Sequence, residues 1–325
     1  GLKAAEDLGL AAPPDVYDRA RKYMEAFQRA DGGWNYNKTL TQEASYGSMT
    51  AAGITSLYIC GLRLERGTSV CGQWASDKRL ADGLEWIARR FSVDVNQVHK
   101  NGMVFANAWK HYYLYGLERI GMIMAKQSIG GHDWYREGAA VLVNTQQPDG
   151  AWPSYSAPYD GATEFAMLFL GKGSAPIAIQ KLQYEGDWNL DRFDAKRLTE
   201  FAARDLATPM TWQSVDTAAP ARALSAAPIL YLQGRKAFAF DAAFRRNLRL
   251  FADNGGFILA SACCGAPVFD ASFRAEMLAV FPDAKLEALP PAHPVYSAAH
   301  KIGKPEAFML EGLNTGCRTV VLYAP

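Results

Sequence analysis

The chain reads Gln28-Arg29-Ala30-Asp31-Gly32-Gly33-Trp34 near its start and Gln146-Gln147-Pro148-Asp149-Gly150-Ala151-Trp152 further on. Both stretches fit the pattern Q-x-x-D-G-x-W. They lie about 118 residues apart, an interval that two repeats of about 59 residues would span, with a degenerate middle copy around Trp86 and Asn96. In each copy the glycine permits a positive φ, the glutamine amide can bond open backbone groups at a helix end, and the tryptophan can wedge between hairpins. The motif therefore predicts a helical repeat and gives its residues a structural role.

Helical periodicity surrounds both turns. Apolar residues recur at i, i+4, i+7 and i+11 from Val16 to Phe27 and from Leu80 to Phe91, which predicts helices with one apolar face. Residues 46–63, 104–125 and 161–171 are apolar around most of the helix circumference, which predicts buried helices. We therefore expect three α/α hairpins, with outer helices near 14–28, 77–91 and 133–146 and the buried helices inside.

The two turns resemble the QW repeats of squalene and oxidosqualene cyclases and the matching turns of protein prenyltransferase β subunits, over residues 14–173. The resemblance implies an α/α toroid, of which residues 1–175 would form about half. The chemistry of these families needs an Asp-rich acid or a zinc ion. The only nearby candidate for the acid, Asp94-Val95-Asn96, lacks the paired carboxylates of an Asp-rich run. The Cys and His residues of this half show no zinc-ligand spacing. We predict no metal, no cofactor, and neither squalene cyclisation nor prenyl transfer.

Three residues of the helical half are candidates for ligand binding. Trp109 and Tyr112 belong to an aromatic run that could line an apolar cavity, and Glu164 could place an acid in that cavity. Aromatic residues at this spacing more often pack in a core, and an acidic residue at a helix start more often caps the helix. Core packing and capping are therefore the favoured interpretations.

The second half alternates strands with helices. Strand-like runs at 177–184, 228–233 and 257–262 are separated by helical runs at 191–206 and 241–253. This order predicts an open parallel sheet with helices on both faces, a three-layer α/β domain of the flavodoxin or amidotransferase type over residues 176–325. Any ligand crevice in such a domain lies at the carboxyl ends of the strands.

The loops expected at this edge contain the remaining candidates. Cys263 occupies the nucleophile position of a partial elbow, Ser261-Ala262-Cys263-Cys264-Gly265. His293 could act as its base and Asp187 could orient the histidine, while the candidates for ligand binding are Trp188, Gly234, Cys264 and Gly265. Buried structural cysteines at a strand end are the alternative, and we favour them.

The second half also resembles an uncharacterised bacterial domain. The resemblance rests on Asn254-Gly255-Gly256-Phe257, on Cys263-Cys264-Gly265, and on Phe269-Asp270 with the His293-Pro294 pair further on. That domain of unknown function is often fused to prenyltransferase-like repeats and is distantly similar to class I glutamine amidotransferases. The resemblance implies a bacterial source and an α/β fold over about residues 177–325, and it implies no established activity.

Composition narrows the remaining choices. Apolar residues make up 49% of the chain and charged residues 21%, the net charge is +1, and no apolar run is long enough to cross a bilayer. We therefore expect a soluble protein that does not bind nucleic acid. Five cysteines, two of them adjacent, indicate no disulfide framework. Because the chain starts at Gly1, we expect an upstream segment to be missing, which leaves an exported or periplasmic location open.

Three functional hypotheses follow. The first is a non-catalytic protein that binds a small molecule or a protein partner. The second is an acyl-transfer enzyme with Cys263 as nucleophile and His293 as base. The third is an isoprenoid-processing protein. We rank them in this order, because the first hypothesis requires no residue that the sequence lacks.

Overall fold

The computed structural model describes residues 2–7, 9–10, 12–36, 45–64, 77–97, 99–100, 103–104, 108–154, 161–173 and 176–325. These residues fall into two compact units, a helical unit that ends before Pro176 and an α/β unit that runs from Pro176 to Pro325. The prediction of a helical part followed by an α/β part is confirmed.

The helical unit contains seven helices and one small hairpin among its described residues. They are α1 (Leu2–Asp7), α2 (Pro14–Phe27), α3 (Gly47–Leu64), α4 (Lys78–Arg89), the antiparallel strands β1 (His99–Lys100) and β2 (Met103–Val104), α5 (Lys110–Ile123), α6 (Trp134–Thr145) and α7 (Ala162–Gly173). Helix α3 packs against α5, and α5 packs against α7, to form an inner layer. Helices α2 and α4 pack on α3, and α6 packs on α5 and α7, as an outer layer. Helices lie near all six predicted positions, and the α2–α3 and α6–α7 pairs pack as predicted, whereas α4 packs mainly on α3 rather than on its predicted partner α5.

The predicted inner helix at 104–125 starts later than expected. Helix α5 begins at Lys110, because Trp109 takes a left-handed conformation with φ 57° and interrupts the helical backbone there. Val104, the first residue of the predicted helix, belongs instead to the strand β2.

The two Q-x-x-D-G-x-W turns make the same hydrogen bonds. In each turn, the glutamine side chain donates to the glycine carbonyl, and the residue after the glycine donates to the aspartate carboxylate. The tryptophan indole donates to a carbonyl of the preceding outer helix, and the tryptophan backbone N–H donates to a threonine hydroxyl of the following inner helix. The pairs are Gln28–Gly32, Gly33–Asp31, Trp34–Met24 and Trp34–Thr50 in the first turn, and Gln146–Gly150, Ala151–Asp149, Trp152–Leu142 and Trp152–Thr163 in the second. The predicted equivalence of Trp34 and Trp152 is confirmed.

Glycines let the tryptophans approach the helices closely. Trp34 is buried, with 1% of its surface exposed, and a Cβ at Gly53 of α3 would overlap its ring. A Cβ at Gly83 of α4 would lie 2.8 Å from the same ring. The indole therefore fills a space between the inner and outer helices that only glycine leaves open.

The α/β unit is built on a seven-stranded sheet. Its elements are β3 (Ile177–Gln183), α8 (Asp194–Asp205), β4 (Thr211–Asp216), α9 (Ala221–Leu224), β5 (Ile229–Gly234), α10 (Ala242–Asp253), β6 (Phe257–Ala262), α11 (Pro267–Val280), β7 (Leu286–Ala288), β8 (Glu311–Thr315) and β9 (Arg318–Ala324). The strand order is β4-β3-β5-β6-β9-β8-β7. Strands β4, β3, β5, β6 and β9 pair in parallel, and β8 pairs antiparallel with both β9 and β7.

The prediction of a purely parallel sheet is wrong, because the hairpin of β8 and β9 returns the chain along the sheet and makes it mixed. Strand β4 was not predicted. It lies at the edge of the sheet and four of its six residues are polar, so it lacks the continuous apolar run of a central strand.

The two faces of the sheet differ. Leu230 and Leu232 of β5 belong to the large apolar core, to which α10 and α11 contribute Phe244 and Phe269. Alternation along β5 turns Tyr231 to the other face. Helix α8 covers that other face at β3, where its first residue, Asp194, contacts Lys181.

Candidate functional site

The carboxyl ends of β3 and β5 are not paired with each other. Pairing between these two strands ends at Lys181 and Tyr231, although both strands continue. On their outer sides, pairing of β3 with β4 and of β5 with β6 runs on to the strand ends. In the strand order, the chain continues from β3 to its neighbour β4 in one direction and from β5 to its neighbour β6 in the opposite direction. Ligands of open α/β sheets bind at such a reversal. We call this feature, between residues 181–188 and 231–236, the switch crevice.

Two side chains of the β3 loop hold the β5 loop in place. The Tyr184 hydroxyl donates to the Gln233 carbonyl at 2.8 Å, which replaces the ladder hydrogen bond that β3 no longer makes. The Asp187 carboxylate accepts the backbone N–H groups of Arg235 and Lys236, with a shortest distance of 3.1 Å to Lys236 N. Burial, and then the charge of Asp187, raise the pKa of Tyr184. The hydroxyl therefore stays protonated and keeps donating.

The structure brings together three of the predicted site residues. Asp187 and Gly234 lie on the two sides of the switch crevice, because Asp187 binds the residues that follow Gly234. A Cβ at Gly234 would collide with the Tyr184 hydroxyl and with the Phe269 ring, so this position requires glycine. Trp188 follows Asp187 and packs partly on the apolar core.

A buried lysine anchors the same loop, and sequence analysis missed it. Lys181 is fully buried, and its ammonium donates to Asn189 Oδ1 at 3.0 Å, to the Asp191 carbonyl at 2.6 Å and to Asp194 Oδ1 at 2.6 Å. Burial lowers the pKa of Lys181, and the charge of Asp194 opposes this effect. Three acceptors match the three donors of an ammonium, so Lys181 positions the loop and is not a free amine. A single lysine within a strand pattern carries no sequence signal for this role.

The turn after β6 is tighter than the sequence predicted. Helix α11 starts at Pro267, directly after the turn, and Cys264 and Gly265 both take left-handed conformations, with φ of 59° and 63°. Cys263 is disulfide-bonded, whereas Cys264 carries an exposed free thiol, 3.8 Å from Cys263 Sγ. Since the thiolate is the nucleophile of a cysteine enzyme, Cys263 in this state has no sulfur free to attack.

His293 does not lie at the carboxyl edge, so this part of the prediction is wrong. Its Nε2 lies 3.3 Å from Thr319 Oγ1, and its Nδ1 accepts the backbone N–H of Val295 at 3.2 Å. The register of β6 with β9 places Thr319 before the start of β6, whereas Cys263 follows the end of β6. Roughly 20 Å of strand separates the two positions. His293 lies in the segment between the antiparallel strands β7 and β8, which brings it towards the amino edge. Sequence analysis predicted neither of these strands.

The candidates of the helical unit have different surroundings. The Tyr112 ring lies 5.2 Å from the Phe165 ring, and Tyr115 joins them at 5.3 Å, which forms an aromatic cluster between α5 and α7. Burial, and then Tyr115, raise the pKa of Tyr112. Trp109 is 45% exposed at the start of α5, and Glu164 is exposed on α7. Glu164 therefore does not place a buried acid in a cavity.

The helical unit also contains a shallow cavity of about 630 Å³ beside the first turn. It is lined by Ala30, Asp31, Arg89 and Arg90. Asp31 already accepts hydrogen bonds from Gly33, Ser45 and Trp86, and Arg90 lies over the Trp86 ring at 4.7 Å. Asp31 and Arg90 therefore have structural partners within the repeat and need no ligand to satisfy them. For this reason the cavity is a weaker candidate for a binding site than the switch crevice.

Within the described ranges, no three His, Cys, Asp or Glu side chains converge as a metal site would require. None of the described helices combines the length and apolarity needed to span a bilayer.

Comparison with known proteins identifies one similarity. Residues 178–315 match the family model described as Domain of unknown function (DUF4159). The match covers most of the α/β unit and less than half of the chain. No curated protein matches the chain. The expected resemblance of the second half to a domain of unknown function is therefore confirmed, and the match does not extend to the helical unit.

Proposed function

We propose that this chain is a ligand-binding protein without catalytic activity and that its α/β unit holds a small molecule in the switch crevice. The observation that carries the proposal is the early end of pairing between β3 and β5 at Lys181 and Tyr231. The crevice lies where open α/β sheets bind ligands, and its walls are fixed by Asp187, Tyr184 and Lys181. Fixed walls favour binding because little ordering entropy is lost when the ligand enters.

Acyl transfer by a thiol is the less supported alternative. It needs a free thiolate at Cys263 and a base within hydrogen-bond reach. Cys263 is disulfide-bonded, and His293 contacts Thr319 towards the opposite edge of the sheet. These contacts support neither a free thiolate at Cys263 nor a base beside it.

We also propose that each of the two units resembles a known type of fold. The matching hydrogen bonds of the two turns and the inner and outer helix layers support a partial α/α toroid of the cyclase and prenyltransferase type. The aromatic cluster of Tyr112, Tyr115 and Phe165 would suit an apolar or isoprenoid ligand of that unit. The order β4-β3-β5-β6 of the parallel strands supports a flavodoxin- or amidotransferase-like α/β unit.

Hydrogen exchange tests the proposal. Small polar metabolites are first screened for an increase in the melting temperature of the chain. Hydrogen exchange is then measured with and without each compound that raises it, which we call an active compound. We expect slower exchange of the backbone amides in loops 184–190 and 234–240. The Asp187→Ala variant should lose the stabilisation by the compound, whereas Asp253→Ala, which removes an exposed partner of Arg249 on α10, should keep it. Active compounds that protect neither loop would refute the switch crevice as the binding site.

A further inference from the structure

Two adjacent cysteines in the turn after β6 bring their sulfur atoms together. Cys263 Sγ lies 3.8 Å from Cys264 Sγ, which is close to van der Waals contact. An extended backbone would turn the two neighbouring side chains to opposite sides, whereas Cys264 has a left-handed backbone with φ 59°. The tight turn therefore holds the two sulfurs side by side.

The two sulfurs are in different oxidation states. Cys263 is half-buried and already part of a disulfide, whereas Cys264 carries a free thiol on an exposed residue. Since Cys60, Cys264 and Cys317 are all free thiols, none of them is bonded to Cys263, and Cys71 lies outside the described residues. We call the cysteine bonded to Cys263 its disulfide partner. The thiol of Cys264 thus lies against a sulfur that already has a disulfide bond.

The other described free thiols are placed less well for a reaction with this disulfide. Cys60 is buried, and burial raises the pKa of its thiol. The register of β6 with β9 places Cys317 before the start of β6, whereas Cys263 follows the end of β6. At least about 20 Å of strand separates these two positions. Cys264 is therefore the described free thiol that is both exposed and in contact with Cys263.

Thiol–disulfide exchange is the reaction that this contact permits. The Cys264 thiol loses its proton to water, and the thiolate attacks Cys263 Sγ. A bond forms between the sulfurs of Cys264 and Cys263, and the bond between Cys263 and its disulfide partner breaks. The partner sulfur leaves with the electron pair of that bond and takes up a proton. Because one disulfide is present before and after the step, the step needs neither an oxidant nor a reductant.

The geometry of the turn determines which pairing is the more stable one. To form a bond, the two sulfurs must approach from 3.8 Å to about 2.0 Å. Consecutive Cα atoms are only about 3.8 Å apart, which is below the usual range for a disulfide, so a bond between neighbours is strained. No described atom lies within 4 Å of a Cβ built at Gly265, so the turn has room to move. The bond between neighbours is therefore an accessible minor state.

We propose that Cys264 is an exchange thiol for the Cys263 disulfide, so that the turn is a thiol–disulfide exchange site with two pairings. In the main pairing, Cys263 is bonded to its disulfide partner and Cys264 is free. In the minor pairing, Cys263 is bonded to Cys264 and the partner is a free thiol. Modification of the exposed Cys264, by an alkylating agent or by a mixed disulfide with a small thiol, locks the main pairing. The exchange site does not depend on ligand binding in the switch crevice.

Trapping of the released thiol tests the exchange on the full chain. The chain is kept without oxygen, metal ions or reductant at about pH 8, where a substantial fraction of an ordinary thiol is ionised. Iodoacetamide is added at low concentration, the reaction is stopped with acid, and peptide mass spectrometry identifies the products. Alkylation of the released partner leaves a bond between Cys263 and Cys264 that can no longer revert.

We expect two products from the unmodified chain. One carries the label on Cys264 and keeps the bond between Cys263 and its disulfide partner. The other carries the label on the partner and contains Cys263 and Cys264 as a closed, unlabelled pair. The second product should be lost in Cys264→Ser, which removes the attacking sulfur. The control Cys317→Ser removes another exposed thiol and should leave the second product unchanged.

Each result decides the question. The closed pair in the unmodified chain, together with its loss in Cys264→Ser, supports the exchange site. If the unmodified chain gives only the product labelled at Cys264, or if Cys263 itself is labelled without a reductant, the proposal fails. It also fails if Cys264→Ser releases the partner as fast as the unmodified chain does, because another thiol then makes the attack. The unmodified chain alone shows whether the closed pair forms, so the test holds even if Cys264→Ser does not fold.

Discussion

Asp31 and Asp149 occupy the same position in two copies of one turn, but they have different partners. Both accept a hydrogen bond from the backbone two residues on, at 3.0 Å. Asp31 also accepts from the Ser45 hydroxyl at 2.7 Å and from the Trp86 indole at 3.0 Å. The first turn therefore joins α4 to the repeat through a carboxylate, whereas the exposed Asp149 shapes only its own turn.

We predict that Asp31→Asn destabilises the chain more than Asp149→Asn does. Burial raises the pKa of Asp31, but the hydrogen bonds from Ser45, Gly33 and Trp86 outweigh burial and hold this pKa below its usual value. Charge-assisted bonds are the stronger ones, and part of Asp31 faces solvent, so the expected cost is about 1 kcal/mol, against less than about 0.5 kcal/mol at Asp149. Urea unfolding of both variants at pH 7 measures the two costs.

The pH dependence of the same pair provides a second measurement. Because the folded pKa of Asp31 is lowered, its contribution to stability is complete above the unfolded pKa of about 4 and is lost as the pH falls through the folded pKa. The difference in unfolding free energy between the wild type and Asp31→Asn should therefore shrink in acid. A difference that is constant from pH 7 to pH 2 would contradict this assignment.

A second prediction concerns the glycine beneath Trp34. Gly53→Ala places a methyl group where the Trp34 ring lies, and overpacking of this kind costs about 1–3 kcal/mol. Gly171→Ala on α7 is the matched control, since a Cβ there meets nothing within 4 Å. It should leave the stability unchanged or raise it by up to about 1 kcal/mol, because alanine favours a helix. Equal melting temperatures of the two variants would show that the Trp34 wedge is not rigid.

Individual helices and strands differ in how well their sequence patterns identify them. The outer helices α2, α4 and α6 have a polar face and an apolar face, and all three were predicted within two residues at their starts. The start of α5 was placed too early, because apolar periodicity does not register the left-handed backbone of Trp109. The short edge strands β4 and β7 have few buried residues, so no alternation separates them from loops.

Arg318 ties strand β9 to the end of α10. Its guanidinium donates to the carbonyls of Ala252, Gly255 and Gly256, with distances of 2.9 Å to Gly255 and 3.0 Å to Gly256. Ala252 lies in the last turn of α10, and Gly255 and Gly256 follow it, where the negative end of the helix dipole favours a cation. The planar fork of arginine suits this set of acceptors better than the point charge of lysine.

We predict that Arg318→Met lowers the unfolding free energy by about 1–3 kcal/mol, because it removes the donor that the Gly255 and Gly256 carbonyls share. Arg249→Met on α10 is the control. It removes an ion pair with Asp253, in which both side chains are more than 40% exposed, and a contact of the guanidinium with the Phe281 ring at 5.5 Å, so the cost should be below about 1 kcal/mol. Chemical denaturation compares the two, and a larger loss in Arg249→Met would contradict the assigned role of Arg318.

At the scale of the whole molecule, the sequence predicted the plan of the chain better than its candidate site. Regular alternation identified the two parts and placed Asp187 and Gly234 at the same edge of the sheet, because parallel strands end together. It could not locate His293, because β7 and β8, the two strands on either side of it in the chain, were not predicted. Lys181 was also missed, since a single lysine within a strand pattern carries no signal for the loop contacts that it makes.

The last prediction concerns four of the five cysteines and decides between the binding and thiol-enzyme hypotheses. Iodoacetamide at neutral pH should label the exposed Cys264 and Cys317 first and the buried Cys60 slowly, because burial raises the pKa of Cys60 and restricts access to it. Cys263 should stay unlabelled until a reductant is added, because its sulfur is in a disulfide. After reduction, His293→Gln should not change the labelling rate of Cys263, since His293 lies near Thr319 and far from this turn. Peptide mass spectrometry gives the four rates, with Cys317 as the internal standard. If reduced Cys263 were labelled faster than Cys264, and His293→Gln slowed that reaction, the histidine would be acting as its base, and the thiol-enzyme hypothesis would replace the binding role.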